Sequence, residues 1–192
     1  MRKLMYIAII MLIVSCQSNK EKDASTDSHN HTELNTETNA GASKSPHTAA
    51  MATIGDAHIH IDYSSPRVRN RIIFGGLLAY DEVWQGGAHM ATWVETTKDI
   101  TISNQLLPKG KYGFFLIPSK GEWTVIFNKN WNQHGKDDYN PDEDVLRFKI
   151  NPEMTEDTKE ELEYKILKTD DREGKISLEW ERVKIDFLFV VN

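Results

Sequence analysis

The sequence predicts an all-β domain, an antiparallel β-sandwich or a jelly-roll-like barrel of about nine strands with little helix. Two observations carry this prediction. Many short segments after residue 56 alternate apolar and polar side chains with a period of two, as half-buried strands do. Turn-forming residues separate several of these segments at hairpin spacing. Close, evenly spaced strands with such turns are typical of two-sheet antiparallel folds.

The strand pattern recurs along the chain. It covers residues 57–63, 71–74, 91–96, 99–103, 112–117, 123–127, 145–150, 162–167, 175–180 and 182–190. A hairpin is predicted across the turn at 118–122, and another across the polar turn at 169–174. Residues 77–84 have room for one or two helical turns. Residues 153–161 are charged without an apolar face, which predicts a loop or a short solvated helix.

The chain begins with the pattern of a bacterial lipoprotein signal peptide over residues 1–15. A basic start precedes 11 apolar residues at 4–14, and a small residue leads to Cys16, the only cysteine. A spanning helix needs about 20 residues, so a cleaved signal fits better than a retained anchor. The segment resembles a lipobox, which implies that Cys16 carries lipid. The alternative is an ordinary signal peptide with Cys16 incidental.

The segment after Cys16 predicts a disordered polar linker over 17–52 and one β-sandwich domain over 53–192. Residues 17–50 hold no aromatic side chain, too little apolar surface to offset the entropy of ordering. In lipoproteins of two-membrane bacteria an Asp after the lipidated cysteine usually means inner-membrane retention. Gln17 stands there, which favours an extracytoplasmic, lipid-anchored protein of the outer membrane.

Charge excludes one class of partner. Removal of residues 1–15 takes Arg2 and Lys3 from the 23 basic residues, so 21 remain against 29 acidic ones and the formal charge is −8. No basic stripe survives in the sequence, which argues against nucleic acid as a partner. The expected partners are the membrane, through the lipid anchor, and an envelope ligand, either carbohydrate or protein.

Several short blocks occur in an order that resembles the bacterial family called domain of unknown function 2911, from about residue 54 to residue 191. The blocks are 63–66, 71–77, 80–88, 107–112, 123–129 and 144–147. The resemblance implies a secreted or lipid-anchored protein of Bacteroidota type and no established activity. Gln85 stands where the family typically has Arg, His89-Met90 where it has Asn-Glu, and His134 where an aromatic residue is common.

A pair of histidines is the best candidate for a metal site. His58 and His60 are two residues apart on a predicted strand, so both point to the same face. Two imidazoles can hold zinc if a third ligand joins them, and Asp62, His89 and His134 are the candidates. The alternative is the polar outer face of a half-buried strand. No cofactor is predicted outright, and zinc is one of two metals that the pattern allows.

Calcium is the second metal that the sequence pattern allows. Oxygen-bearing side chains alternate along 138–144, but Glu143 and Lys149 stand where the helix-loop-helix calcium loop needs Gly and Glu. A looser calcium loop or a solvated acidic turn are both open. Nucleophilic catalysis has no support in the sequence, which lacks a G-x-S-x-G elbow, a phosphate-binding glycine loop and H-E-x-x-H.

The sequence therefore favours a non-catalytic ligand- or partner-binding β domain. The alternative is an extracytoplasmic hydrolase, metal-dependent or not, with His89 and His134 in a cleft. Trp93, Trp123 and Trp180 lie in predicted strands and are expected in the core. The candidate binding residues are polar or aromatic residues in turn-rich blocks: Arg71, Trp84, His89, Trp131, His134 and Tyr139.

Overall fold

Ten strands pair in two antiparallel sheets over residues 43–192, the part of the chain that this computed structural model describes. The predicted fold class is confirmed. A single 3-10 turn, Pro141–Glu143, is the helical element of the described residues. In chain order the strands are β1 (His47–Ile54), β2 (Ala57–Ser64), β3 (Trp93–Thr96), β4 (Ile100–Ile102), β5 (Gln105–Leu107), β6 (Gly110–Ile117), β7 (Trp123–Asn128), β8 (Asp144–Ile150), β9 (Glu153–Lys168) and β10 (Glu173–Val191).

The sheets differ in size and in the order of their strands. The larger sheet runs β1-β2-β3-β6-β7-β8, and the smaller runs β5-β4-β10-β9. Strands β4 and β5 therefore leave the larger sheet, and β3 pairs with β6 across that excursion. The predicted signal peptide, Cys16 and the first part of the predicted linker lie outside the described residues. Within residues 43–192, no helix is long and apolar enough to cross a membrane.

Period-two alternation decides which side chains of β2 enter the core. Ala57, Ile59 and Ile61 are fully buried, whereas His58 and His60 point to the outer face of the larger sheet. Burial of such apolar side chains contributes about 1.5–3 kcal/mol each and is the main source of stability. The inner faces of the two sheets meet in this core. The outward side chains of β2 remain outside it.

Aromatic rings fill one region of the core. Trp123 and Trp180 are each 1% exposed, which confirms their predicted place in it. Phe74 lies with its ring centroid 4.7 Å from that of Trp123 and 5.9 Å from that of Trp180. Trp84 stacks on Trp180 at 5.7 Å. Aromatic pairs at these separations add stability beyond the area that they bury.

The globular domain starts earlier than predicted. Strand β1 begins at His47, so the predicted end of the linker at residue 52 and the predicted domain start at 53 are wrong. The segment is rich in alanine, which gives a weak strand signal. All eight residues nevertheless pair with β2, from His47 opposite Ser64 to Ile54 opposite Ala57. Small side chains suit this position because Ala50 and Ala52 pack against the core.

Three local predictions also fail. Residues 153–161 are the first part of strand β9 and not a loop or a helix, because pairing with β10 overrides their weak local signal. Residues 71–74 form turns with one isolated bridge between Phe74 and Leu78 and not a strand. Residues 77–84 form no helix, and Trp84 bridges to Leu116 of β6 instead. Through this bridge the long connection pairs with the part of β6 that β3 does not reach.

Candidate functional site

The outer face of the larger sheet carries two rows of side chains aligned across β2, β3 and β6. One row joins His60, Glu95 and Lys111, which are direct register partners. The next row joins Asp62, Trp93 and Gly113 in the same way. Residues that pair in register point to the same face of a sheet. Strand pairing therefore gathers an imidazole, two carboxylates, an ammonium and an indole in one place.

Trp93 lies on this outer face and not in the core, so the prediction for it is wrong. It is half-buried, and its neighbour Val94 is the residue that enters the core. Side chains of successive strand residues point to opposite faces, so both cannot be inside. The ring of His60 packs against Trp93 in a T-shaped arrangement with a centroid separation of 4.8 Å.

A glycine on β6 allows a second tryptophan to reach the same surface. A Cβ on Gly113 would lie 2.9 Å from the carbonyl oxygen of Asn130 and 3.3 Å from Cα of Trp131. The loop after β7 can therefore lie directly on the sheet. The side chain of Asn128 accepts a bond from the Asn130 backbone NH at 2.8 Å, and Gln133 donates to the Asn130 carbonyl at 2.7 Å. These bonds hold the loop that presents Trp131.

Lys111 joins the two indoles. Its Nζ lies 3.3 Å from the ring centroid of Trp93 and 3.7 Å from that of Trp131. The two ring centroids are 6.3 Å apart, with the planes at 67°. An ammonium over an indole face is attracted by the ring quadrupole, by about 0.5–2 kcal/mol depending on exposure. Lys111 thus acts as a bridge that fixes Trp131 of the loop against Trp93 of the sheet.

A cleft of about 230 Å³ opens beside this pair of indoles. Trp93 and Trp131 supply apolar surface to it. Ligand sites combine such surface with a few polar groups that fix orientation. The polar side chains that line the cleft are His47, Asp62, Ser64 and Asn132.

His47 and Asp62 form a polar edge of the cleft. His47 Nε2 lies 2.8 Å from Asp62 Oδ1, and the Asp62 side chain is 20% exposed while that of His47 is 69% exposed. Strand β1 positions His47, because His47 is the first residue of this strand and pairs with Ser64 at the end of β2. The residue that sequence reasoning assigned to the linker is therefore part of the candidate site.

The predicted metal pair lies at the edge of the same face. His58 and His60 have ring centroids 6.3 Å apart. Asp62, one of the proposed third ligands, is paired with His47. Among residues 43–192, no group of three or more His, Cys, Asp or Glu side chains is arranged to hold a metal ion. His58 and His60 lie on the outer face of β2, and zinc binding by this pair stays a prediction.

The segment 138–144, the candidate calcium loop, is held together by hydrogen bonds between protein groups. Asp144, whose side chain is 6% exposed, accepts hydrogen bonds from Tyr139 OH at 2.9 Å, Arg147 at 2.8 Å and Asn128 at 2.8 Å. Asn140 caps the 3-10 turn through its side chain. Burial, together with Asp144, raises the pKa of Tyr139 to about 12. Tyr139 is thus a structural residue of this hydrogen-bonded group, 5.0 Å from the ring of Phe115.

Two further predicted binding residues do not reach the cleft. Trp84 is 3% exposed and donates its indole NH to the Gly87 carbonyl at 3.0 Å, so it belongs to the core. Arg71 is exposed, but its guanidinium donates to the carbonyl groups of Val68 at 3.0 Å and Arg67 at 2.6 Å. Arg71 therefore holds the turn of its own loop.

The structure brings His89 and His134 together through their backbones. The Gly135 NH donates to the His89 carbonyl at 2.8 Å, and Met90 bridges to His134. His89 adopts a left-handed φ of 62°. Asn favours this conformation, and Asn is the residue that the family in the sequence analysis typically has here. His134 Nδ1 lies 3.1 Å from Asp137 Oδ2, and both side chains are about 70% exposed. Within the described residues, nothing in this arrangement favours the hydrolase alternative.

Of the predicted binding residues, Trp131 is the one that lines the cleft. Sequence reasoning missed Lys111, Asn132 and Ser64, and it placed Trp93 inside. Strict alternation along β3 would have assigned Trp93 and Val94 to opposite faces. Lys111 gave no comparable signal, because its role depends on pairing between strands.

The class of protein that emerges is a two-sheet antiparallel β domain with a tryptophan-lined cleft on the outer face of its larger sheet. A family model described as Protein of unknown function (DUF2911) matches residues 45–189, and the chain belongs to that family. The matched range includes β1 and nearly all of β10. No curated protein and no solved structure matches the chain.

Proposed function

We propose that this protein is a lipid-anchored, extracytoplasmic binding protein that holds a carbohydrate ligand in the tryptophan cleft and catalyses no reaction on it. One observation carries the proposal. Two indoles, fixed by the shared Lys111 ammonium, stand beside the polar groups of a small cleft. The small, concave cleft favours a carbohydrate ligand over a protein partner.

The chemistry of a sugar ring matches these surroundings. One side of the ring exposes C–H groups that pack on an aromatic face, and its edge carries hydroxyl groups that both donate and accept hydrogen bonds. Trp93 and Trp131 supply the aromatic surface. Asp62 accepts hydrogen bonds, Asn132 donates and accepts them, and neither requires a metal. At about 230 Å³ the cleft is below the range of about 300–1,000 Å³ that is usual for whole drug-sized ligands, so it suits one ring of a longer glycan.

The place of action follows from the N-terminal sequence. Cys16 at the end of the apolar segment 4–14 supports lipidation, and Gln17 supports the outer membrane. Two acyl chains or more hold a protein durably in a bilayer, whereas one chain is marginal. A carbohydrate of the envelope is within reach of such an anchor.

Binding can be tested with the full-length chain on an array of bacterial envelope glycans, followed by calorimetric titration of any glycan retained. Trp131→Ala should weaken binding by about tenfold or more, since stacking and orientation are both lost. Leu106→Ala is the control, because Leu106 is 55% exposed and lies on β5 of the other sheet. Equal affinity of the Trp131→Ala variant and the wild-type chain would contradict the proposal, as would retention of no glycan.

Lipidation is tested separately by labelling cells with a radioactive fatty acid. The wild-type chain should carry the label and fractionate with the outer membrane. Cys16→Ala should lose the label while still being exported. An unlabelled wild-type chain would contradict the anchor and leave the carbohydrate proposal to its own test.

A further inference from the structure

A second cavity, of about 450 Å³, lies against an irregularity in β10 and shares no lining residue with the tryptophan cleft. The hairpin between β6 and β7 forms one side of it, and the start of β9 and the middle of β10 form another. Its volume is within the range of about 300–1,000 Å³ that is usual for small-molecule sites.

The irregularity is centred on Glu181. The register between β9 and β10 shifts on both sides of this residue, and Glu181 adopts a left-handed φ of 56°. A non-glycine residue in this region is strained, and such strain and strand bulges concentrate beside functional sites. The Glu181 carboxylate accepts a hydrogen bond from the Ile73 backbone NH at 3.2 Å. The bulge thereby ties β10 to the long connection that supplies Phe74 and Tyr80 of the cavity lining.

Aromatic and apolar groups form the inner surface. Trp123 and Phe74 are 1% and 6% exposed, and both line the cavity. The indole NH of Trp123 donates to the Ser119 carbonyl at 2.9 Å, which fixes the hairpin above it. Met154 is 69% exposed at the opening, and a Cβ on Gly121 would meet nothing within 4 Å. The cavity is therefore rigid at its base and open at the hairpin.

The charges at the rim favour an anion. Lys120 and Arg182 line the cavity, and both are exposed. Neither forms an ion pair with a carboxylate of residues 43–192. Glu181 is the one carboxylate in the lining, and its Oε1 atom is occupied by the Ile73 NH. The lining thus carries two cations against one partly engaged anion, in a protein whose overall charge is negative.

We infer that this cavity binds a small amphipathic monoanion, an aromatic or short acyl carboxylate. The apolar part of the ligand lies against Trp123, Phe74 and Met154. Its carboxylate lies at the rim, where Lys120 and Arg182 bind it by charge-assisted hydrogen bonds. This site is independent of the tryptophan cleft and of the proposed carbohydrate ligand.

The experiment titrates 4-phenylbutyrate into the full-length chain labelled with ¹³C at the methionine methyl groups. The Met154 methyl signal should shift and saturate. The uncharged 4-phenylbutyramide and the cationic 4-phenylbutylamine should each bind about tenfold more weakly or worse, since charged hydrogen bonds are lost. The three probes share one apolar group, so the comparison isolates the carboxylate without any substitution.

Variants then locate the site. Lys120→Ala with Arg182→Ala should weaken phenylbutyrate binding by about tenfold and leave amide binding unchanged. The control is Lys109→Ala with Arg172→Ala, which also removes one lysine and one arginine charge, but outside the cavity. Equal binding of acid and amide would overturn the inference. So would equal losses in both double variants, or a titration that leaves the Met154 signal in place.

Discussion

Lys111 Nζ lies 3.3 Å from the ring centroid of Trp93, which is a direct cation–π contact. The same atom lies 3.7 Å from the ring of Trp131. A strand residue of β3 and a loop residue after β7 are therefore coupled through a side chain of β6. Anything that moves this ammonium should change both tryptophans, and the proposed carbohydrate site with them.

Lys111→Met keeps most of the apolar stem and removes the charge. We expect it to lower the free energy of unfolding by about 1 kcal/mol, since cation–π interactions of half-buried groups have this size. Urea denaturation measures the change, and tryptophan fluorescence should report a more mobile Trp131. Lys109→Met is the matched control, two residues away and exposed. If both variants lose the same stability, the ammonium does not hold the indoles.

Gly113→Ala tests the close approach of the loop to the sheet. The added Cβ would lie 2.7 Å from the Phe115 ring and 2.9 Å from the Asn130 carbonyl oxygen. Overpacking of this kind costs about 1–3 kcal/mol, and the displaced loop should also weaken glycan binding. Gly121→Ala is the control, since its Cβ has open space. Denaturation midpoints of the two variants that agree would contradict the packing described for Trp131.

Ala52→Asp and Met51→Asp test whether β1 is a strand of the domain. Ala52 packs against the core, whereas Met51 is 58% exposed. A carboxylate at 52 must enter apolar surroundings, so we expect a loss of about 2 kcal/mol or more. A carboxylate at 51 should change stability by about 0.5 kcal/mol or less. Thermal unfolding measures both changes. If neither substitution changes stability, residues 51 and 52 belong to a disordered linker, as the sequence predicted, and not to a strand of the domain.

The raised pKa of Tyr139 predicts a loss of stability at high pH. Its phenol ionises near 10 in an unfolded chain and at about 12 in the folded one, so the stabilisation is fully present below pH 10. Between these values the unfolded state binds fewer protons, so the free energy of unfolding falls as pH rises from about 10 to 12. Urea denaturation across this range measures the fall.

Tyr139→Phe should make that decline shallower. It should not abolish it, because burial raises the pKa of Tyr164 as well. Asp144→Asn, which removes the charged acceptor, should lower the pKa of Tyr139 in a spectrophotometric titration. An identical alkaline decline in the wild-type chain and the Tyr139→Phe variant would show that this phenol does not contribute.

Local patterns were sufficient for much of the fold. The alternation over 57–63 identified β2 and the shared face of His58 and His60, because the period of a strand is a property of the backbone. The turn at 118–122 and its flanking apolar runs identified the β6–β7 hairpin. The sequence predicts Trp123 and Trp180 in the core because large aromatic side chains in apolar strands bury a large apolar area there.

Local patterns failed wherever a partner strand decided the outcome. The alanines of β1 and the charged residues at the start of β9 carry weak strand signals, and each segment becomes a strand because its neighbour offers a ladder of hydrogen bonds. Trp84 was a candidate binding residue and is buried, because the connection that holds it pairs with β6 through a bridge to Leu116.

The sequence by itself determined the fold class, the faces of the best-patterned strands and the family. The tertiary structure decided the candidate site. Trp93, Lys111 and Trp131 are far apart along the chain, and β4 and β5 lie between the first two. Because those two strands pair in the smaller sheet, β3 is free to pair with β6. That long-range choice places the ammonium between the indoles, and no local period along the chain encodes it.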